Sequence, residues 1–129
     1  MNALEISVSV GELLDKVTIL KIKQEKIKET QKLKNINKEL DLLTNVMSQL
    51  ELDSYALEKM EELKKVNEEL WMVEDQLREY EREKNFSDDF ILLARSVYMK
   101  NDRRSVLKRD LNLHLRSPII EEKSYQHFH

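Results

Sequence analysis

Residues that break helices are almost absent from this chain, and that absence restricts its fold more than any other feature. One glycine and one proline occur in 129 residues, whereas 36% of the residues are charged. Apolar residues recur every three or four positions through most of the chain, which places them on one face of an α-helix. The sequence therefore predicts an all-α fold over a single domain, 1–129, built as a bundle of long antiparallel helices.

Four helices follow from the caps and from the breaks in the apolar pattern. Ser9 and Glu12 have the spacing of a capping box at the start of the first helix. A change in phase of the apolar pattern near 28–32 predicts a second helix, with Thr30 as its N-cap. We expect these two helices at about 10–29 and 31–50, followed by a tightly connected helical hairpin, 54–83/88–116.

Both ends of the chain differ from the helical pattern. Leu4, Ile6 and Val8 alternate with polar residues, which predicts a short N-terminal extended segment that packs on the helices or pairs with the tail. The tail after Pro118 is expected to be ordered at least through Tyr125. Its charged residues should face water or cap a neighbouring helix; these are Glu121, Glu122 and Lys123.

Composition excludes several classes of function. The chain has no cysteine, so disulfides, thiolate metal sites and cysteine nucleophiles are excluded. Its net charge of −3 argues against a nucleic-acid partner. No apolar run is long enough to span a membrane and no signal peptide is recognisable, so we expect no membrane insertion and a cytoplasmic location. We predict no cofactor.

Polar residues interrupt the apolar face of the last helix. Asn101, Arg104 and Lys108 lie where leucines are expected. If the hairpin turns at residue 85, Arg104 lies level with about Asn67, and Asn101 with about Trp71. Carboxylates surround Trp71 at helical spacing. The candidate ligand-binding residues are therefore Asn67, Glu68, Trp71, Asp75, Asn101, Arg104 and Lys108.

Two interpretations of these residues remain open. In the first, they form a buried polar layer that fixes the helix register, and Arg104 pairs with Glu68 or Asp75. In the second, they form a small pocket for an anionic ligand, which Arg104 and Lys108 would bind while Trp71 stacks on a ring.

Other possible ligands for a metal are weaker candidates. Glu12 and Asp15 form a carboxylate pair at the spacing that metal-binding helices use, and so do Glu58 and Glu61. Their order is the reverse of that in all-helical nucleotide pyrophosphohydrolases, and the pairs lie on distant helices. A frayed C-terminus explains the final pair of histidines, His127 and His129, better than metal binding does. The sequence therefore predicts no metal site.

The last helix also has a second apolar stripe. Its residues are spaced by seven: Leu92, Met99, Val106 and Leu113. They lie on nearly the opposite side of the helix from Phe90 and Val97, which belong to the first apolar stripe. A helix that is apolar on two sides must be covered on two sides. We therefore expect a coiled-coil-like homodimer whose interface uses Leu92, Met99 and Val106.

Four blocks of this sequence, taken together and in order, resemble a family of short bacterial proteins known only as a domain of unknown function. The blocks are VGELLDKVTILKIK (10–23), VNEELWMVED (66–75), LARSVYMKNDRRSVLKRDLN (93–112) and EEKSY (121–125). The resemblance implies a shared pattern at NDRR and EEKSY, but no activity, cofactor or catalytic residue.

Two functions are consistent with the sequence, and whether the protein is an enzyme stays open. We expect a non-enzymatic helical interaction or ligand-binding module with a polar layer in its core. The alternative is a small all-helical enzyme that acts on a phosphorylated or sugar-nucleotide substrate.

Overall fold

The computed structural model of the chain describes residues 1–126. Its four helices are α1 (Val10–Lys26), α2 (Thr30–Met47), α3 (Ser54–Arg82) and α4 (Asp88–His114). No β-strand occurs within the described residues, so the predicted all-α fold is confirmed. The N-cap of α2 is Glu29 and Thr30 is its first helical residue, so the predicted cap was one position too late. No helix in the described chain is long and apolar enough to cross a membrane.

The central helix is α1, which packs against each of the other three helices. Its Leu14 and Val17 are fully buried, as are Leu63 of α3 and Leu107 and Leu111 of α4. Burial of each such side chain stabilises the fold by roughly 1.5–3 kcal/mol. Because α1, α3 and α4 all contribute to this core, α1 holds the hairpin of α3 and α4 in place.

Ion pairs across the hairpin show how α3 and α4 run. Glu62 binds Arg103 at 3.2 Å and Glu69 binds Lys100 at 2.9 Å, so positions rise along α3 as they fall along α4. This is the order of an antiparallel hairpin. The backbone turns at Lys84, whose φ of 56° lies in the left-handed region.

The N-terminal segment is exposed, whereas the C-terminal tail contacts α4. Residues 1–9 form neither helix nor strand, and Leu4 and Ile6 are 87% and 82% exposed. The expectation that this segment packs on the helices or pairs with the tail was therefore wrong. The tail turns back along α4, where Glu122 binds Arg109 at 2.7 Å. Tyr125 remains mostly exposed.

Candidate functional site

The backbones of α1 and α4 approach each other closely at Gly11, the one glycine of the chain. A Cβ atom at this position would lie 2.5 Å from the carbonyl oxygen of Lys108 and 2.9 Å from Oδ1 of Asn112. The Gly11 amide donates to that same Oδ1 at 2.6 Å. The absence of a side chain thus lets α1 lie directly on α4, and polar side chains fill the seam between them.

The seam begins at Ser9, the N-cap of α1. Its hydroxyl accepts a hydrogen bond from the Glu12 amide at 3.0 Å and donates to the Glu121 carboxylate at 2.8 Å. Asn112, which is fully buried on α4, also donates to Glu121, at 3.1 Å. The tail is therefore fastened to the start of α1 through the side chain of its N-cap residue.

The Glu121 carboxylate is held in its ionised form. Partial burial raises the pKa of Glu121. The hydrogen bonds from Ser9, from its own backbone and from Asn112, together with the charge of Lys108, lower the pKa by more than burial raises it. The pKa therefore lies below its usual value.

Lys108 forms the next part of the seam. Its ammonium binds the Glu12 carboxylate at 2.6 Å and lies 3.9 Å from Oδ2 of Asp15. The capping box predicted at Ser9 is therefore only half formed, because the Glu12 carboxylate binds Lys108. Ser9 still caps the helix.

Asp15 is the centre of the seam, and only 1% of its side chain is exposed. Arg104 binds it side-on: Nε donates to Oδ1 at 3.0 Å and Nη2 donates to Oδ2. Asn67 of α3 donates its amide to Asp15 Oδ1 and to the Thr18 hydroxyl, both at 2.9 Å. A buried carboxylate thus joins three helices. We call Ser9, Glu12, Asp15, Arg104, Lys108 and Asn112 the α1–α4 polar network.

The Arg104 guanidinium binds Asp15 of the network and is also partly exposed to solvent. The hydrogen bonds with Asp15 raise its pKa above its usual value, so it carries a full charge. Its side chain is nevertheless 29% exposed. Its third nitrogen, Nη1, makes one long hydrogen bond of 3.5 Å to Oδ1 of Asn101. One edge of the guanidinium is therefore fixed by Asp15, and the opposite edge keeps its capacity to donate.

Arg104 and Asn101 both line a cleft of about 470 Å³ between α1 and the hairpin. Apolar side chains from α1 and α3 form much of its wall, and Trp71 stands among them. Charged side chains of both signs surround it. The lining residues are Ile19, Ile22, Lys23, Asn67, Leu70, Trp71, Glu74, Asp75, Arg78, Asn101 and Arg104.

The cleft contains most of the residues that the sequence suggested. Five candidates line it together: Asn67, Trp71, Asp75, Asn101 and Arg104. Glu68 lies apart and binds Lys64 at 3.2 Å. Lys108 lies deeper along the network, on Glu12.

The predicted partner of Arg104 was wrong. Its ion pair is made with Asp15 of α1, in place of Glu68 or Asp75 of α3. Asn67 reaches Arg104 through the shared Asp15 carboxylate. The register of the hairpin was right, but the Asp15 side chain of α1 lies between Asn67 and Arg104 and supplies the anion.

Sequence reasoning missed the roles of Asp15, Glu12 and Asn112. The carboxylate pair on α1 was visible, but it was considered only as a metal ligand. Among residues 1–126, no group of three or more His, Asp or Glu side chains could hold a metal ion. The two carboxylates instead bind Arg104 and Lys108 of α4, and no spacing within one helix indicates a contact with another helix.

Comparison with known proteins adds a family but no activity. No curated protein matches the chain significantly, and no solved structure does. The model of a family of unknown function, DUF6165, matches residues 4–128, which include every block of the resemblance described above. The chain therefore belongs to this family of unknown function, DUF6165.

Proposed function

We propose that the chain is a non-enzymatic ligand-binding module, and that the cleft beside Trp71 is its site. The observation that carries this proposal is the position of Arg104, which lines an open cleft while Asp15 fixes one edge of its guanidinium. A guanidinium held in this way loses little conformational entropy when it binds a ligand.

The side chains of the cleft indicate what the ligand carries. Arg104 and Lys23 offer positive charge to an anionic group such as a phosphate or carboxylate. Trp71 and Leu70 offer an apolar face to a ring. Glu74 and Asp75 can accept hydrogen bonds from hydroxyl or amino groups. The proposed ligand is a small anion with a ring and polar substituents.

The same residues are also consistent with the second function, that of a small enzyme. A small all-helical enzyme acting on a phosphorylated or sugar-nucleotide substrate would use the cleft with its cations on the anion and a carboxylate as a base. Product formation during the binding test separates this function from simple binding.

The test is a thermal-shift screen with nucleotides, sugar nucleotides and divalent metals, followed by fluorescence titration. Trp71 is the one tryptophan of the chain, so its emission reports on the cleft directly. A ligand should raise the melting temperature and change this emission, and Arg104→Lys should weaken its binding at least tenfold. Arg103→Lys is the matched control, because Arg103 binds Glu62 outside the cleft.

Two results would contradict the proposal. One is a screen in which no compound shifts the melting temperature or the emission of Trp71. The other is a ligand whose affinity changes equally in Arg104→Lys and Arg103→Lys, because such a ligand binds elsewhere.

We further propose that the chain acts as a homodimer in the bacterial cytoplasm. The support for the dimer is the second stripe of α4, where Leu92, Met99 and Val106 are 59%, 39% and 49% exposed. Light scattering at micromolar concentration should give twice the 15.5 kDa mass of the chain. A mass near 15.5 kDa would disprove the dimer.

A further inference from the structure

The outer face of α4 carries an apolar stripe of one residue in every seven, Leu92, Met99, Val106 and Leu113, with mostly charged residues between them. All four side chains are exposed, and their spacing of seven residues spans about 30 Å at 1.5 Å per residue. The opposite face of α4 is buried against α1 and α3 through Leu111. The stripe is therefore a free surface in the single chain, with the period of a helix that pairs with another helix.

Charged residues of alternating sign border the stripe. At 100° per residue, Asp102 and Arg109 lie along one border, and Arg103 and Asp110 lie along the other. Each border thus carries both signs, seven residues apart. Such a surface can satisfy its charges with a second copy of itself in the opposite direction.

We infer that α4 pairs antiparallel with α4 of a second copy, with Val106 on the two-fold axis. This inference rests on the proposed homodimer and names the geometry of its interface. In this register Met99 packs on Leu113 of the second copy. Asp102 lies level with Arg109 of the second copy, and Arg103 with its Asp110, which gives four ion pairs per dimer.

Neighbouring antiparallel registers place like charges opposite each other within the helices. An axis at Met99 also gives four ion pairs, Asp102 with Arg95 and Arg109 with Asp88 of the second copy, but it places Asp89 opposite Asp110 of the second copy. An axis midway between Met99 and Val106 places Asp102 opposite itself and Arg103 opposite itself. Like charges directly opposed across an interface are destabilising. In the Val106 register, the one unfavourable match, Arg95 with Arg116, falls beyond the last helical residue, His114.

A parallel arrangement is disfavoured at the N-terminus of the helix. It would bring the first-turn acids of both copies, Asp88 and Asp89, to the same end of the dimer. It would also align the two helix dipoles, whereas the antiparallel arrangement opposes them.

The ion pairs that these border residues make within one chain do not prevent the exchange. Arg103 binds Glu62 at 3.2 Å and Arg109 binds Glu122 at 2.7 Å. The arginine side chains are 51% and 46% exposed in these pairs. Pairs of this kind contribute little stability, so new partners can replace them.

Single cysteines test the register, because the chain contains none of its own. Val106→Cys should form a covalent dimer on mild oxidation, since helices packed 8–10 Å apart bring residues on the axis within disulfide distance. Met99→Cys and Leu113→Cys should each remain uncrosslinked alone and should crosslink to each other when mixed. Gln76→Cys, exposed on α3, is the control for random collision.

A second pair of variants tests the charges. Asp102→Arg and Arg109→Asp should each raise the dissociation constant of the dimer about tenfold, and the double variant should restore it. These residues are on the surface, so folding is preserved and can be verified by circular dichroism.

The outcomes distinguish the inference from the dimer on which it rests. A monomer by light scattering overturns both. A dimer in which Met99→Cys and Leu113→Cys each crosslink alone overturns the antiparallel register and leaves the dimer. A dimer in which Val106→Cys does not crosslink above the Gln76→Cys control places the interface on another surface.

Discussion

Replacing Arg104 should destabilise the fold through the carboxylate that it leaves behind. Asp15 is 1% exposed and would lose its two hydrogen bonds from Arg104. Removing one partner of a buried pair costs about 3–5 kcal/mol. We expect about 3 kcal/mol for Arg104→Met, because Asn67 still donates to Asp15 at 2.9 Å and Lys108 lies 3.9 Å away. The methionine also keeps much of the apolar stem.

This magnitude converts to a measurable melting temperature. Unfolding entropy of about 2.1 cal/mol/K per residue makes 3 kcal/mol a fall of about 10 °C for a chain of 129 residues. Urea denaturation followed by circular dichroism gives the free energy directly. All variants are compared at one protein concentration, because the stability of a dimer depends on concentration.

A double-mutant cycle with Asp15→Asn isolates the pair. Asp15→Asn alone should cost less than Arg104→Met, since the freed guanidinium can turn into the cleft. In the double variant no buried charge lacks a partner, so we expect a coupling energy of about 2 kcal/mol. Arg82→Met, which removes an exposed pair with Glu79, should leave stability essentially unchanged. A coupling energy below about 0.5 kcal/mol would refute the reasoning.

Three further predictions concern the same seam. Gly11→Ala should lower the free energy of unfolding by about 1–3 kcal/mol, because its Cβ would overlap the Lys108 carbonyl; unchanged urea denaturation would disprove the close contact. The lowered pKa of Glu121 contributes stability above its ordinary value of 4.5, and this stability is lost as the pH falls through the folded-state pKa. Glu121→Gln should therefore flatten the acid side of the stability profile, and Glu122→Gln should not. Asn67→Ala should cost about 1–3 kcal/mol in urea, because it removes a donor from two buried acceptors; a cost below about 0.5 kcal/mol would show that water replaces it.

Local rules were sufficient to predict the helices. The side chain of Ser9 caps α1 and that of Asp53 caps α3, and both caps act within three residues of their own position. The antiparallel hairpin follows from a turn too short to allow any other arrangement, so equal rise in α3 and α4 matched their positions. Such arguments need only neighbouring residues or one tight connection. They were therefore enough to predict that Trp71 and Asn101 lie close together, and both residues line the cleft.

The placement of α1 lay outside the reach of those rules. Asp15 and Arg104 are 89 positions apart, and helical spacing does not relate two helices separated by two others in the chain. Leu107 illustrates the same limit: it lies on neither apolar stripe of α4, yet it is fully buried because α1 crosses the hairpin there. The N-terminal alternation failed for a different reason. A pattern of period two predicts a strand only where a partner strand exists, and residues 4–8 meet none within the described chain.

The structure changes the relation between the two interpretations of Arg104. The sequence presented a buried polar layer and a ligand site as alternatives, because Arg104 was expected either to pair with a carboxylate or to bind a ligand. Asp15 occupies Nε and Nη2, and so fixes the plane of the guanidinium relative to α1. The same constraint leaves Nη1 beside Asn101, which also lines the cleft. A binding group positioned by a buried partner is the arrangement that a specific site requires. Loss of Asp15 should therefore weaken ligand binding as well as stability, although Asp15 itself does not line the cleft.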